Sequence, residues 1–348
     1  MEKRSKCAII IEEKWRGYKM NNYTVISQEE INQALIVANQ INSYYYEKMV
    51  GQSDLGSALL ISMIVNGHIL IESVPGLAKT TAAKTMTEAV NGKFSRIQCT
   101  PDLLPSDIIG TQVLNYSTNN FDTRLGPVHA NFVLLDEINR SSAKTQSAML
   151  EVMQEHQTTI GGEIYPTPEI FMVIATQNPI EQEGTYLLSE AQLDRFFMKE
   201  KLDYPTEDEE LMILNRIESD AFAKKDTVVS LADVKLMQDL VKRVYIDESV
   251  KRYIIKLVSA TRHASSYISE DLAQYITLGS SIRGAICLME VAKAVALLNG
   301  RDYVTPDDVK AKIHAVLRHR ITLNFAAVAD GVNEDQIIDA IIGKIPTP

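Results

Sequence analysis

The segment Ser73-Val74-Pro75-Gly76-Leu77-Ala78-Lys79-Thr80 follows an apolar run, His68 to Ile71, and precedes a helical pattern from Thr81 to Val90. Strand, glycine-containing loop, helix is the context in which backbone N–H groups turn inward onto phosphate oxygens. A lysine then reaches the β/γ-phosphates and a hydroxyl meets Mg²⁺. Lys79 and Thr80 suit those two roles. The usual G-x-x-x-x-G-K-T has glycine at both ends, whereas Ser73 and Ala78 stand here. Taken alone, Lys79 is equally an ordinary lysine at a helix start.

Further along, Phe132-Val133-Leu134-Leu135-Asp136-Glu137 is an apolar run ending in two carboxylates. At the C-terminal end of a buried strand, Asp136 suits Mg²⁺ and Glu137 suits orientation and deprotonation of a water. A single such run also describes a strand followed by a solvated acidic turn. Two motifs in this order, each in the right strand context, argue for ATP binding. A third run, Phe171 to Ala175, leads into Thr176-Gln177-Asn178-Pro179. Asn178 is either a γ-phosphate or water ligand or a plain strand-to-turn Asn-Pro. Arg195, in Gln192-Leu193-Asp194-Arg195-Phe196, either caps a helix and pairs with Asp194 or projects to a neighbouring subunit's γ-phosphate. Arg283 opens a helix, where a cation opposes the helix dipole. An external anion or a salt bridge would account for it.

The runs His68 to Ile71, Phe94 to Gln98, Phe132 to Leu135, Phe171 to Ala175 and Phe196 to Leu202 are continuously apolar or nearly so, as in a parallel sheet covered on both faces. Helical patterns alternate with them, an α/β doubly wound arrangement. Beyond Asp203-Tyr204-Pro205 the chain reads as helices only. The expected organisation is an α/β nucleotide-binding domain over residues 22–203 and a helical lid over residues 204–348.

The 348 residues carry 35 Lys+Arg against 45 Asp+Glu, a net charge of −10. That balance disfavours a mainly electrostatic nucleic-acid binder. Three cysteines, Cys7, Cys99 and Cys287, have no metal-ligand spacing and point to a reducing, cytoplasmic setting. No apolar run reaches the ~18 residues of a membrane span. Residues 1–21 differ from the rest of the chain: the stretch is basic and holds the only tryptophan, Trp15. They are read as a leader that is either translated upstream sequence before Met20 or a disordered arm. Arg318-His319-Arg320 reads as a basic cluster favoured by a helix C-terminus. Glu181 and Glu183 are either solvated acids or partners for a neighbour's arginine.

Together these residues resemble the MoxR type of AAA+ ATPase. The resemblance rests on Val-Pro-Gly-Leu-Ala-Lys-Thr, Leu-Leu-Asp-Glu-Ile-Asn-Arg, Ala-Thr-Gln-Asn-Pro, Glu-Gly-Thr-Tyr and Glu-Ala-Gln-Leu-Asp-Arg-Phe. The later Gly-Arg-Asp-Tyr-Val-Thr-Pro-Asp-Asp-Val and Leu-Arg-His-Arg extend it. It implies an ATP-hydrolysing P-loop domain with a parallel sheet core, followed by an all-α lid domain. It makes Pro75 to Thr81 the phosphate loop (Pro75, Gly76, Leu77, Ala78, Lys79, Thr80, Thr81), with Thr80 and Asp136 on Mg²⁺. Glu137 becomes the base, Asn178 the γ-phosphate sensor, Arg195 an arginine finger and Arg283 the lid sensor. Val50, Gly51 and Gln52 would line the adenine pocket. Two inserts are implied, within Ile108 to His129 and as a hairpin between Thr158 and Ile170, where Gly161-Gly162 suits the turn. The resemblance also implies a homo-oligomeric ring, a hexamer, acting as a chaperone on client proteins such as von Willebrand factor A domain proteins. Ser73, Ser189 and Ile282 depart from the family pattern and suggest slower hydrolysis or a shifted lid. Two rivals are a scaffold that binds ATP but barely turns it over and an ATP-driven nucleic-acid motor.

Overall fold

The computed structural model describes residues 25–74, 76–179, 186–218 and 229–348. Pro75, Glu181, Glu183 and the leader lie outside them. The five apolar runs form β1 (Ile69–Ser73), β2 (Phe94–Gln98), β5 (Phe132–Asp136), β8 (Met172–Gln177) and β9 (Met198–Leu202). They make one parallel sheet in the order β2-β5-β8-β1-β9.

Period-two alternation divides the strand side chains between two cores. Ile69, Ile71, Phe132, Leu134, Met172 and Ile174 face the helices Gln28–Lys48, Ser53–Ile64 and Lys79–Ala89. Leu70, Val133, Leu135, Val173 and Ala175 face the helix Ala143–Glu155. The first helix begins at a capping box: Ser27 Oγ accepts from the Glu30 amide, and the Glu30 carboxylate accepts from the Ser27 amide.

Two antiparallel hairpins project from this core. They are β3 (Gly110–Asn115) with β4 (Asn120–Leu125) and β6 (Gln157–Ile160) with β7 (Glu163–Pro166). Gly161 and Gly162 turn the second at φ 62° and 89°, the two positive values that a tight hairpin turn requires. The Tyr165 hydroxyl donates to Thr123 Oγ1 at 3.0 Å and joins the two hairpins.

Beyond β9 the helices Glu207–Glu218, Leu231–Arg243, Glu248–Arg262, Ile282–Leu298 and Glu334–Lys344 dominate. The helical part is no loose flap. Met237, Leu240, Tyr253, Leu288 and Val291 belong to the same apolar core as Ile69 and Phe132. In two places the structure departs from helices alone. An antiparallel pair, β10 (Ile276–Leu278) and β11 (Thr322–Leu323), lies within it, its strands of 3 and 2 residues too short to leave a period-two pattern. The stretch from Pro306 to Leu317, read with the rest as helical, is divided into Pro306–Lys310 and Ile313–Leu317. Lys312, between the two pieces, leaves helical geometry with its ammonium 3.1 Å from Asp54 and 3.9 Å from Glu200.

His68, at the entrance to β1, ties three elements together without a charge. Its Nδ1 accepts from the Val173 amide at 3.0 Å, so Nε2 carries the proton and donates to the Met153 carbonyl at 3.0 Å. Burial pushes its pKa down to about 4 from 6.5. The unfolded chain therefore binds a proton between those values that the folded chain refuses. Stability is present in full above pH 6.5 and falls as the pH drops toward 4. The expected loss at this residue is about 3 kcal/mol, read from denaturant midpoints across that window. His68→Gln should flatten the slope.

Candidate active site

The C-terminal ends of the parallel strands gather most of the predicted residues, as expected for an open α/β sheet. The phosphate loop leaves β1 at Ser73 and enters the helix Lys79–Ala89. Gly76 has φ 86°, and a Cβ placed there meets nothing within 4 Å among the described residues, so space is open beside it. Ala78, the residue before the helix, supplies no side-chain cap, which leaves the first-turn amides for an anion. Lys79 Nζ donates to the carbonyls of Ser73 at 3.3 Å and Val74 at 3.5 Å, which holds its ammonium against the loop. Thr80 and Thr81 lie in the first turn behind it.

Ser73 is the last residue of β1, paired with Leu202, and does not have a positive φ. The backbone strain in this loop sits at Ala78, at φ 52° and ψ 24°. There an L-residue costs about 1–2 kcal/mol relative to the ordinary helical region.

Asp136 and Glu137 end β5 under different constraints. Buried Asp136 receives the Thr176 hydroxyl at 2.8 Å and the Arg96 guanidinium at 2.6 Å. Glu137 turns into the left-handed region at φ 58°, and its amide donates to Thr176 Oγ1 at 2.8 Å. Its carboxylate accepts from Gln98 Nε2 at 3.1 Å and lies 3.3 Å from Arg140 Nε. Thr176 thus links the two acidic residues through one hydroxyl. Asn178 is buried at the end of β8. Arg96, Gln98 and Arg140 escaped the sequence reading. Only the pairing of β2 with β5, with Gln98 opposite Asp136, identifies the first two.

Val50, Gly51 and Gln52 lie on the other side of the loop. Gln52 Nε2 donates to the Leu77 carbonyl at 3.4 Å, while its buried Oε1 has no hydrogen-bond partner among the described residues. The Glu209 carboxylate crowds Gly51, where a Cβ would come within 2.5 Å of it. These features fit a nucleotide: an open loop lined by amides, an orphaned acceptor beside it, and oxygen donors at Thr80 and Asp136 of the kind Mg²⁺ takes.

Arg195 and Arg283 are elsewhere. In the register of β1 with β9, Ile69 lies opposite Met198 and Ser73 opposite Leu202. Arg195 precedes Met198, so it lies at the far end of the sheet from the phosphate loop, more than ~13 Å away along the strands. Its Nη1 donates to the Ala191 carbonyl at 2.8 Å and its Nε to Gln154 at 3.2 Å. Arg283, half exposed, reaches Asp194 at 3.6 Å, and Ser281 Oγ donates to the same carboxylate at 2.9 Å. Arg195 and Arg283 line one recess with Gln154, Phe197 and Ile286.

The model of the ATPase family associated with various cellular activities matches residues 68–198, and that of the AAA lid domain matches residues 269–341. Chaperone MoxR1 of Mycobacterium tuberculosis is 43% identical over 86% of this chain and 79% of its own length. Protein MoxR of Paracoccus denitrificans is 30% identical over 86% of this chain and 93% of its own. A solved structure from Cytophaga hutchinsonii superposes with a TM-score of 0.85 at 46% identity, over 91% of this chain and 97% of the other. The fold and the phosphate loop thus define a nucleotide-binding AAA+ ATPase that hydrolyses ATP. The chain belongs to the MoxR family.

Ala78→Gly should relieve the strained turn and raise unfolding stability by about 1 kcal/mol. Ser73→Gly, in extended backbone, should give no gain in stability or turnover. Thermal melts and steady-state phosphate release check both, and a faster Ser73→Gly enzyme would place the constraint at Ser73 instead.

Proposed function

We propose that the protein is a cytoplasmic ring ATPase, hexameric in its working form, that remodels or activates partner protein complexes. Residues 22–203 would be its nucleotide-binding domain and residues 204–348 its lid. The observation that carries this reading is the division of the site. Lys79, Thr80, Asp136, Glu137 and Asn178 stand at one end of the sheet, with Arg195 and Arg283 at the other. A single chain then holds half a site at each of two surfaces, and a closed ring of like subunits joins the halves.

ATP would lie over Gly76 and the first turn of the helix Lys79–Ala89, its base against Val50–Gln52. Mg²⁺, held by Thr80 and Asp136, neutralises charge on the β- and γ-phosphates when bound. Glu137 takes the proton of the attacking water once its carboxylate leaves Gln98 and Arg140. Asn178 orients that water or the γ-phosphate. Lys79 and the neighbour's Arg195 and Arg283 stabilise charge on the transferred group without moving a proton. Asp136 would have to leave Arg96 to hold the cation.

The two hairpins support a client-handling role. Tyr116, Phe121 and Ile164 are exposed on them, and the Tyr165–Thr123 bond makes the pair one projecting unit. In a ring they would face the central channel. A net charge of −10 supports a protein client over nucleic acid. A von Willebrand factor A domain protein encoded beside this gene is the partner class to test.

Glu137→Gln should bind ATP with little change in affinity while its turnover falls by about 10²-fold or more. With ATP it should hold the purified A-domain partner in one complex by size-exclusion chromatography. Replacing Tyr116 and Phe121 by serine should release the partner and leave basal ATPase intact. Normal hydrolysis by Glu137→Gln would remove the base assignment, and no complex in either background would remove the partner.

A further inference from the structure

The cluster read from sequence as a helix-end basic patch turns out to hold the most heavily bonded side chain at the lid–core joint. Arg320 is buried, its side chain 1% exposed. Its Nε donates to Asp194 Oδ1 at 2.9 Å. Its Nη2 donates to the carbonyls of Phe196 at 2.6 Å and Asp194 at 3.2 Å, and contacts Cys287 Sγ at 3.3 Å. Its Nη1 donates to the Phe197 carbonyl at 3.2 Å and to the carbonyl of Val316, and stands 2.7 Å from His319 Nε2. One guanidinium from the lid therefore satisfies most of the acceptors of the turn Asp194–Phe197.

That turn carries Arg195. It lies between the short helix Glu190–Leu193 and β9, outside both, so its carbonyls meet the guanidinium rather than a helix or strand ladder. Asp194 is shared: the carboxylate that receives Arg320 also receives Ser281 and faces Arg283. The fork geometry matters. Lysine carries one ammonium and cannot span a carboxylate and separate carbonyls on two sides of the turn.

We infer that Arg320 is a positioning residue for ATP hydrolysis at the adjoining subunit's site. Through Asp194 and the carbonyls of Phe196 and Phe197 it fixes the direction from which Arg195 and Arg283 leave this subunit. This rests on the reading that those two arginines act across a subunit boundary. It predicts a defect of unusual type: a subunit lacking Arg320 keeps a sound nucleotide site and presents faulty arginines to its neighbour.

Subunit mixing tests it. Arg320→Met and Arg320→Lys should each bind Mg²⁺–ATP with affinity within about twofold of wild type and assemble normally, while kcat falls on the order of tenfold or more. Glu137→Gln has the opposite defect, a dead site beside sound arginines. Mixing it one-to-one with either Arg320 variant should restore roughly a quarter of the wild-type rate, because half the sites and half the arginines are intact. Arg195→Ala mixed with Glu137→Gln is the control. Restoration with Arg195→Ala but not with either Arg320 variant overturns the role of Arg320 and leaves the cross-subunit reading standing. No restoration with Arg195→Ala overturns that reading and the inference with it. Wild-type turnover by Arg320→Lys alone also overturns it. If Arg320→Met fails to fold, Arg320→Lys, which keeps the charge and loses the fork, carries the test.

Discussion

The buried ion pair between Arg320 and Asp194 is the joint on which the orientation of this molecule depends. Removing Arg320 takes from a largely buried carboxylate its closest cation and leaves it Arg283 at 3.6 Å and the Ser281 hydroxyl at 2.9 Å. Around it stand further lid–core contacts: Arg318 with Glu200 at 3.6 Å and Lys201 with Glu334 at 3.5 Å. Burial pushes the Glu200 carboxyl up while Lys312 and Arg318 pull it down, which marks a charge held in place at some cost. The lid is thereby fastened along β9 and at its N-terminal end, and its helices share the apolar core of the sheet.

From that attachment comes the division of the catalytic residues. A lid hinged over its own phosphate loop would bring Arg283 to Lys79. A lid fixed at Asp194 brings Arg283 to Arg195 instead, at the opposite end of the strands. On the proposed reading, the nucleotide half and the arginine half are separate surfaces of one chain, and assembly would complete the site. The N-terminal half is itself restrained. Glu137 is held by Gln98 and Arg140, Asp136 by Arg96 and Thr176, and Lys79 by loop carbonyls. On the proposed reading, each contact is one that Mg²⁺, nucleotide or a neighbour would displace. Ala78 and Glu137, both in the candidate site, are held in left-handed backbone.

Much of this was legible before any coordinate. Continuous apolar runs gave the parallel sheet, because strands covered on both faces need no polar alternation. Local chemistry gave the phosphate loop and the Gly161-Gly162 turn, since each depends on residues within a few positions of one another. What the sequence hid was long-range. Arg96 and Gln98 reach the acidic pair only because β2 lies beside β5. Arg320 reads as a helix-end cation until the fold brings it, 126 residues away in sequence, onto Asp194. Ser73 and Ala78 both stand where glycine is usual; strand pairing with Leu202 keeps Ser73 extended, and the positive φ falls on Ala78. The β10–β11 pair and the break at Lys312 are likewise set by tertiary contacts that no local pattern announces.

The most direct measurement is a cryo-electron microscopy structure of the assembled protein with Mg²⁺ and a non-hydrolysable ATP analogue. The account predicts that Arg195 and Arg283 nearest each γ-phosphate both come from the adjoining subunit, with the Arg320–Asp194 pair intact in every copy. Arg283 folded over the phosphate loop of its own chain, with that pair broken, would contradict it.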